Sequence, residues 1–399
     1  MTGSVARGVG AEPDEGAVGL YVHLPWCLHR CAYCDFNAHA LRGPLPEREY
    51  VEALLADLDH ELREHSATPR VDTVFIGGGT PSLFSPEAIG RLLDGVAARL
   101  DVADDVEITL EANPGSAERT AYRAFREAGV TRLSVGVQSF HDRLLQRLGR
   151  IHDGEAARSA VQGAMDAGFD SVNLDLMYAL PGQSIDAACA DVEAALALGV
   201  PHVSHYQLTV EPGTPLAADV PGDLPDDDGR ADMEEACVAG LLGSGLARYE
   251  VSAYARPGHA CRHNLGYWGF RDYLGVGAGA HGKRTAGTPQ GRQVVRTRRV
   301  RSPRLWMAGA GTSAAVAESS TPSREERLFE VLLNGLRLAD GIHLDEASRR
   351  AAIPRAELEK QLAPWLEAGW LRRRGARIGA TAYGWRFLDS LLMEFIEAA

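Results

Sequence analysis

Short apolar runs alternate with longer amphipathic stretches through the first two-thirds of this 399-residue chain. The strand-like runs, rich in β-branched and aromatic residues, cover residues 19–25, 71–79, 106–114, 132–140, 171–182, 202–210 and 247–255. The helical stretches cover roughly residues 85–100, 116–129, 153–167, 185–198 and 227–243, with cap-like starts at Ser85, Ser116 and Asp153. This alternation indicates parallel βα units, enough for a full or partial barrel. Periodicity alone also fits an open, doubly wound sheet.

The pattern changes at about residue 256. Residues 256–283 are rich in glycine, histidine and aromatic side chains, and residues 294–304 are strongly basic. From Ser323 onward the chain is helical, and three helices followed by a short basic hairpin resemble a winged-helix module. We therefore predict an α/β protein in four parts. They are a disordered leader (1–17), a barrel (18–255), a connecting segment (256–322) and a mainly helical, winged-helix-like domain (323–399).

Polar residues cluster where four successive predicted strands end. They are Thr80, Glu111, Asn113, Gln138, Ser139 and Asp175. Catalytic loops of βα barrels gather at the carboxyl ends of the strands, so these side chains indicate one shared site. Carboxylates such as Glu111 and Asp175, with Gln138 and Arg150, could bind a nucleoside that carries an amino-acid tail. Helix caps or surface ion pairs are the alternative for each of them.

A glycine-rich turn, GGGTP, covers residues 77–81 directly after a predicted strand. Such a turn lets backbone N–H groups approach a polar ligand closely, although many turns of this kind only end a strand. It lacks the remainder of a dinucleotide fingerprint and the lysine of a P-loop.

Cys27, Cys31 and Cys34 follow the first strand-like run with the spacing C-x3-C-x2-C. Three thiolates on one tight loop can hold three irons of a [4Fe–4S] cluster and leave the fourth iron open for chemistry. The alternatives are a zinc site completed by His29 or His39, and a chance grouping.

Composition narrows the class of protein. The apolar fraction of 45% is ordinary for a globular chain, and a net charge of −13 argues against broad nucleic-acid binding. The remaining cysteines, Cys189, Cys237 and Cys261, are far apart and form no disulfide framework, which suits a reducing cytoplasm. No apolar run reaches the length of a membrane span, and the N-terminus lacks the apolar core of a signal peptide.

The segment HNLGYW places His263, Asn264, Tyr267 and Trp268 within six residues, beside Cys261. Histidine or cysteine can ligate haem iron, and the aromatic rings could stack on a macrocycle. A packed aromatic corner with His263 hydrogen-bonded to the backbone is the alternative.

A basic strip contains the arginines at positions 296, 298, 299, 301 and 304. We interpret it as a solvated linker, with a dock for an anion such as a porphyrin carboxylate as the alternative. DNA binding by the winged-helix-like end is disfavoured, because its third helix carries little positive charge.

Ten local motifs, in order, resemble one known family. They are YVHLPWC, YCDF, GGGTPS, LEANP, LSVGVQSF, LGRIH, NLDLMYALPGQ, YQLTVEPGTP, YEVSAYA and CRHNLGYW. Over residues 18 to about 390 the chain resembles the radical S-adenosylmethionine superfamily, and within it the branch that contains oxygen-independent coproporphyrinogen III oxidase and the haem chaperone HemW. The resemblance implies a partial (β/α) barrel, a [4Fe–4S] cluster on Cys27, Cys31 and Cys34, and S-adenosylmethionine on its open iron.

The same resemblance implies a cofactor pocket and a set of haem candidates by position within the matching motifs. The pocket residues are Tyr21, Tyr33, Gly78, Gly79, Thr80, Glu111, Gln138, Arg150 and Asp175, and the haem candidates are His263, Tyr267 and Trp268.

One departure favours the chaperone branch. The oxidase carries a further cysteine two residues after the third cluster cysteine, where this chain has Phe36, and HNLGYW fits the HNxxYW motif of HemW-type proteins. The resemblance therefore implies a cytoplasmic protein that binds haem and passes it to an acceptor, such as a membrane respiratory protein. It also implies an electron donor for the cluster and leaves monomer and homodimer open. The oxidase reaction, and another radical reaction, are the alternative functions.

Overall fold

A computed structural model describes residues 16–65, 68–288 and 291–397, so nearly all of the predicted leader lies outside the described residues. The strands are β1 Val18–Leu24, β2 Trp26–Cys27, β3 His39–Ala40, β4 Arg70–Gly78, β5 Asp101–Ala112, β6 Arg132–Gln138, β7 Ser171–Tyr178, β8 His202–Gln207, β9 Ala247–Glu250, β10 Ala253–Ala255, β11 Tyr273–Val276, β12 His281–Thr288, β13 Gly291–Arg299, β14 Val316–Ser320, β15 Ile342–His343, β16 Leu371–Arg374 and β17 Arg377–Ala380.

The helices occupy the intervals between most of these strands. They are α1 Glu47–Leu62, α2 Pro86–Ala97, α3 Ser116–Glu127, α4 Asp142–Arg147, α5 Gly154–Asp166, α6 Ile185–Ala197, α7 Pro215–Ala218, α8 Asp227–Gly243, α9 Arg262–Trp268, α10 Pro303–Gly309, α11 Arg324–Gly335, α12 Leu344–Ala351, α13 Arg355–Glu367, α14 Ala382–Arg386 and α15 Leu388–Glu397. Ser85 and Asp153 cap α2 and α5 as expected, whereas α3 begins at Ser116 itself, with Gly115 at the cap position.

The main sheet confirms the prediction of a partial barrel. Strands β1, β4, β5, β6, β7 and β8 pair in parallel in that order, so their carboxyl ends meet at one mouth. Among the described residues the order of strands is linear, with β14 at one edge and β9 at the other. Helices α2, α3, α5 and α6 connect successive parallel strands, as right-handed βα units require.

The last predicted strand, residues 247–255, is instead a hairpin. The chain turns after Glu250, and β10 pairs antiparallel with both β8 and β9. The apolar run therefore closes the edge of the sheet rather than adding a further parallel unit.

The interpretation of the basic strip as a solvated linker was wrong for Arg296, Arg298 and Arg299, whereas Arg301 and Arg304 lie beyond the strand and are exposed. Residues 291–299 form β13, which pairs with β12 over eight residues and extends the main sheet. Arg299 is buried and donates to Asp57 from Nε at 2.9 Å and to Glu61 from Nη2 at 2.6 Å. Buried ion pairs of this kind satisfy charges that water cannot reach.

Two further arginines of β13 are also paired. Arg296 donates to Glu330 on α11, and Arg298 donates to Glu318 on β14. These two guanidinium groups are engaged by carboxylates, which argues against an anion dock at their positions.

The C-terminal region has the element order of a winged helix: α11, β15, α12, α13 and the β16–β17 hairpin, in which β15 also pairs with β17. Its apolar core includes Leu332, Leu358 and Ile378. Phe270 and Val294, from the barrel side, belong to the same core. Within the described residues no helix combines the length and apolar character needed to cross a membrane.

Candidate cofactor site at the mouth of the barrel

A cavity of about 420 Å³ opens at the carboxyl ends of the parallel strands. Its size lies within the range of pockets that hold small molecules and cofactors. It brings together the three cysteines and all but one of the predicted pocket residues. The predicted residues that line it are Cys27, Cys31, Cys34, Tyr33, Gly78, Gly79, Thr80, Glu111, Gln138, Arg150 and Asp175.

Tyr21 is the predicted pocket residue that does not line the cavity. Its hydroxyl bonds to Nδ1 of His23 at 3.0 Å, and its ring stacks on Phe75, which does line the cavity. Burial, with a smaller contribution from Glu111, raises the pKa of its phenol. Tyr21 therefore supports the cavity wall from behind.

The cysteine loop is held by backbone pairing rather than by chance proximity. Trp26–Cys27 pairs in parallel with His39–Ala40, and the N–H of Leu41 donates to the carbonyl of Cys27 at 2.9 Å. Within the loop, the N–H of Cys34 donates to the carbonyl of Cys31 at 3.2 Å. This small two-stranded ladder fixes the entrance and the exit of the cysteine loop.

The glycine-rich turn packs directly against the start of that loop. A Cβ on Gly79 would lie 2.5 Å from the carbonyl oxygen of Trp26, so only glycine fits there. The N–H groups of Gly79 and Thr80 donate to the carbonyls of Leu24 and Trp26, at 2.8 and 2.7 Å. Both amides are already hydrogen-bonded to backbone carbonyls, so the expectation that the turn directs its N–H groups at a ligand does not hold for Gly79 and Thr80.

The cysteine environment suits metal binding with release of protons. Burial, and then the neighbouring Cys34 and Cys31, raise the pKa of Cys27 to about 11, and burial also raises the pKa of Cys34. These thiols are protonated until a metal displaces the protons. Among the described residues no three His, Cys, Asp or Glu side chains converge on one point, as the ligands of a single zinc ion would. A [4Fe–4S] cluster fits better, because each thiolate binds a different iron and the sulfurs need not converge.

Arg150 links the cysteine loop to the strand ends. Its Nη2 donates to Oδ1 of Asn113 at 2.7 Å and to the carbonyl of Gly136 at 2.6 Å, while Nη1 lies 3.5 Å from Sγ of Cys31. Its Nε is buried and has no hydrogen-bond partner among the residues that the structure describes. A fixed cation beside a cluster and a cavity can bind a carboxylate and tune the cluster potential.

Two carboxyl groups of the cavity lining, those of Glu111 and Asp175, interact electrostatically. Burial, followed by the charge of Asp175, raises the pKa of Glu111 to about 8, although the N–H of Gly78 bonds to its Oε2 at 3.0 Å. Burial also raises the pKa of Asp175, against hydrogen bonds led by that from Asn173. Such a pair favours a cationic ligand, for example an ammonium group or a sulfonium.

Gln138 ends β6 in a left-handed conformation, with φ of 70°, where the pairing between β6 and β7 shifts register. A non-glycine residue with positive φ is uncommon, and such strain is concentrated at functional sites. The bulge changes the direction of the Gln138 side chain at the end of β6, and this side chain lines the cavity.

Five polar residues that form the floor of the cavity were not predicted from the sequence. They are Arg132, Ser134, Asn173, His202 and Ser204. Asn173 is central, since its amide donates to Ser134 at 2.8 Å and its Oδ1 lies 2.6 Å from Nδ1 of His202. Polar residues at alternate positions inside otherwise apolar strands were the available signal.

The three haem candidates lie on α9, outside the cavity lining. His263 is 9% exposed, its Nδ1 lies 3.1 Å from Oγ1 of Thr73, and its ring packs on Phe75. Burial, and then Arg271, lower the pKa of His263 to about 3. Tyr267 contacts Trp268 nearly at right angles, and the guanidinium of Arg337 lies over the Trp268 ring at 4.5 Å. As it stands, this segment is an aromatic corner at the base of the barrel.

Comparison with known proteins agrees with this site. The family described as the radical SAM superfamily matches residues 21–195, and the HemN C-terminal domain matches residues 323–387. "Heme chaperone HemW" of Escherichia coli (strain K12) is 44% identical over 379 residues, covering 95% of this chain and 98% of the relative. "Heme chaperone HemW" of Mycobacterium tuberculosis (strain ATCC 25618 / H37Rv) is 40% identical over 391 residues, covering 96% of both.

A solved structure supports the fold. Coproporphyrinogen III oxidase (HemN) from Escherichia coli, a radical SAM enzyme, superposes with a TM-score of 0.76 over 96% of this chain and 90% of the other. Its sequence is 22% identical, so the likeness is one of architecture.

Proposed function

Because this chain belongs to the HemW family of haem chaperones within the radical S-adenosylmethionine superfamily, we propose that it binds haem and transfers it to an acceptor protein. The similarity to the chaperones over almost the full length of both chains carries this conclusion. A [4Fe–4S] cluster and S-adenosylmethionine are the cofactors of this family.

The residues at the mouth of the barrel would hold both cofactors. Cys27, Cys31 and Cys34 would ligate the cluster, and Glu111 with Asp175 would face the cationic part of S-adenosylmethionine, since buried carboxyl groups favour a cation. Arg150 would pair with its carboxylate. Together the two cofactors would provide one-electron reduction of the sulfonium by the cluster. We propose that the cluster and S-adenosylmethionine together control haem transfer or dimerisation and do not drive catalytic turnover.

His263 is our candidate for contact with haem iron. Its low pKa keeps the imidazole neutral, as metal ligation requires, and the Nδ1 bond to Thr73 leaves Nε2 as the ligating atom. Its burial against β1 and β4 means that α9 has to move before a macrocycle can reach it. Tyr267 and Trp268 would move with it, since they share the helix.

The oxidase reaction is the less favoured alternative. The position of the oxidase's additional cysteine is occupied by Phe36, which is exposed at the edge of the cavity. The shared architecture alone supports the alternative.

One experiment tests the proposal directly. Protein reconstituted with iron and sulfide without oxygen is titrated with haem, in the presence and absence of S-adenosylmethionine. We expect stoichiometric haem binding whose affinity depends on S-adenosylmethionine. Parallel incubation with coproporphyrinogen III and a reductant should give no decarboxylated product. Repeated turnover to product, without haem binding, would replace the chaperone with the oxidase.

A further inference from the structure

A second cavity, of about 240 Å³, adjoins the cofactor cavity beside the cysteine loop and shares five lining residues with it: His29, Cys31, Thr80, Asn113 and Arg150. We call it the cluster-side groove, and it is lined by Leu28, His29, Cys31, Pro114, Gly149 and Ile151 among others. Cys31 and Arg150 line both cavities, so their side chains form part of the wall between them. A protein seated in the groove would therefore lie one side chain away from the cluster.

Two large apolar side chains project from the rim of this groove. Leu28 is 58% exposed and lies in the cysteine loop, and Ile151 is 72% exposed and lies between α4 and α5. Isolated exposed apolar residues are ordinary, but two from separate segments that line one concave surface mark a contact site. Both line the groove, whereas neither lines the cofactor cavity.

The charge of the two segments that carry these residues is opposite to that of the chain. Residues 27–42 and 141–152 contain five arginines and two aspartates, and even with Arg147 paired to Asp223 from outside them they keep a positive excess, whereas the whole chain has a net charge of −13. Arg30 and Arg143 are exposed. Because complementary charge steers association, these segments favour an acidic partner and repel a second copy of this acidic chain.

We propose that the cluster-side groove is the docking site of a small acidic one-electron carrier, a reduced flavoprotein or iron–sulfur protein, that reduces the cluster. The inference rests on the proposed function, since it requires the cluster. One electron leaves the reduced flavin or iron–sulfur centre of the carrier and enters [4Fe–4S]²⁺, giving [4Fe–4S]⁺, and no bond is made or broken. Electron tunnelling weakens steeply with distance, which favours a dock at the wall that contains Cys31.

Flavodoxin in its hydroquinone form is the probe for the test. The cluster-loaded protein is mixed with it anaerobically, the bleaching of the cluster is followed by stopped flow, and binding is measured by fluorescence anisotropy. Ile151→Glu places an acidic side chain in the dock, and Arg143→Glu reverses one nearby charge. Leu242→Glu is the matched control, because Leu242 is 48% exposed on α8 and lines neither cavity.

We expect Ile151→Glu and Arg143→Glu each to lower the second-order rate constant and the affinity by about tenfold, with Leu242→Glu unchanged. Reduction by dithionite, which needs no dock, should be the same in all variants. The wild-type rate should fall as salt is added, because the charges that steer association are screened.

Equal rates for Ile151→Glu, Arg143→Glu and Leu242→Glu would overturn the proposal. If reduction is unchanged while haem transfer to an acceptor slows, the groove is the acceptor's dock instead, which also overturns it. Iron content is measured for each variant. Because Arg143 lies outside both cavity linings, Arg143→Glu still decides the test if Ile151→Glu loses its cluster. Failure of the chaperone function alone would abolish haem binding and leave these reduction rates intact.

Discussion

The guanidinium of Arg150 lies 3.5 Å from Sγ of Cys31 and is fixed there by Asn113 and the carbonyl of Gly136. A positive charge at this position stabilises the reduced cluster, which carries one more negative charge than the oxidised cluster.

We expect Arg150→Ala to lower the reduction potential of the cluster by about 60 mV, the equivalent of a tenfold change for one electron. The same change should weaken S-adenosylmethionine binding, because the partner of its carboxylate is lost. Redox titration monitored by electron paramagnetic resonance measures the first effect and calorimetry the second. Arg147→Ala is the control, since Arg147 pairs with the exposed Asp223 and does not line the cavity. An unchanged potential in Arg150→Ala would contradict this role.

Glu111 makes stability depend on pH. Its pKa is about 8 in the folded protein against an ordinary 4.5, so the folded state binds a proton that the unfolded state releases. Its contribution is complete below pH 4.5 and is lost progressively as the pH rises to about 8. The free energy of unfolding of the cluster-free protein should therefore fall less from pH 5 to 8 in Glu111→Gln than in the wild type. Urea unfolding at both pH values checks this, and the exposed Glu367→Gln should behave as the wild type does.

Gly79→Ala tests the close approach between the glycine-rich turn and the cysteine loop. The added Cβ would lie 2.5 Å from the backbone oxygen of Trp26, so the loop has to shift. We expect a loss of about 2 kcal/mol in stability, and less cluster bound after reconstitution. Gly90→Ala is the control, because a Cβ there meets nothing closer than 3.8 Å. It should be neutral or gain up to about 1 kcal/mol from helix propensity. Similar cluster content in both variants would contradict the prediction.

Two neighbouring arginines on β13 should differ sharply in their effect on stability. Arg299→Met leaves Asp57 and Glu61 buried without their cation and should cost about 3–5 kcal/mol. Arg298→Ala removes only an exposed pair with Glu318 and should cost less than about 1 kcal/mol. Chemical denaturation of both variants makes the comparison. Equal, small losses would mean that Arg299 lies in a solvated segment after all.

Haem contact by His263 is tested spectroscopically. If Nε2 of His263 ligates the iron, His263→Ala should shift or abolish the Soret band of the haem complex. His259→Ala is the matched control, because His259 lies close to the same helix and bonds to Ser171. An unchanged Soret band in His263→Ala would restrict this residue to packing between Thr73 and Phe75.

The sequence predicted the barrel well because its parallel strands are buried on both faces and read as continuous apolar runs. All but one of the residues that it predicted for the pocket line the cavity, since polar residues such as Glu111 and Gln138 interrupt the pattern at strand ends. Helix α1 escaped prediction because its buried face includes the charged Asp57 and Glu61. These residues look like a solvent-facing surface until Arg299, more than two hundred residues later, is placed against them.

A similar separation in sequence between partners explains why the basic strip was wrongly interpreted as a solvated linker. The acidic partners of Arg296, Arg298 and Arg299 lie on other elements, Glu330 on α11, Glu318 on β14 and Asp57 on α1, so the local sequence predicts hydrated arginines. Likewise, nothing local to HNLGYW reveals that Thr73 and Phe75 surround His263. Tertiary contacts decide both cases.

The apolar core that joins Phe270 and Val294 to the C-terminal helices has a thermodynamic consequence. The indole of Trp385 also donates to the carbonyl of Leu336, and Arg248 of β9 covers its ring at 4.5 Å. Because Phe270 and Val294 from the barrel side complete the core of the winged-helix region, that region loses part of its core when it is separated from the sheet. A fragment that begins at Ser323 should therefore melt at a lower temperature than the same region does within the whole chain.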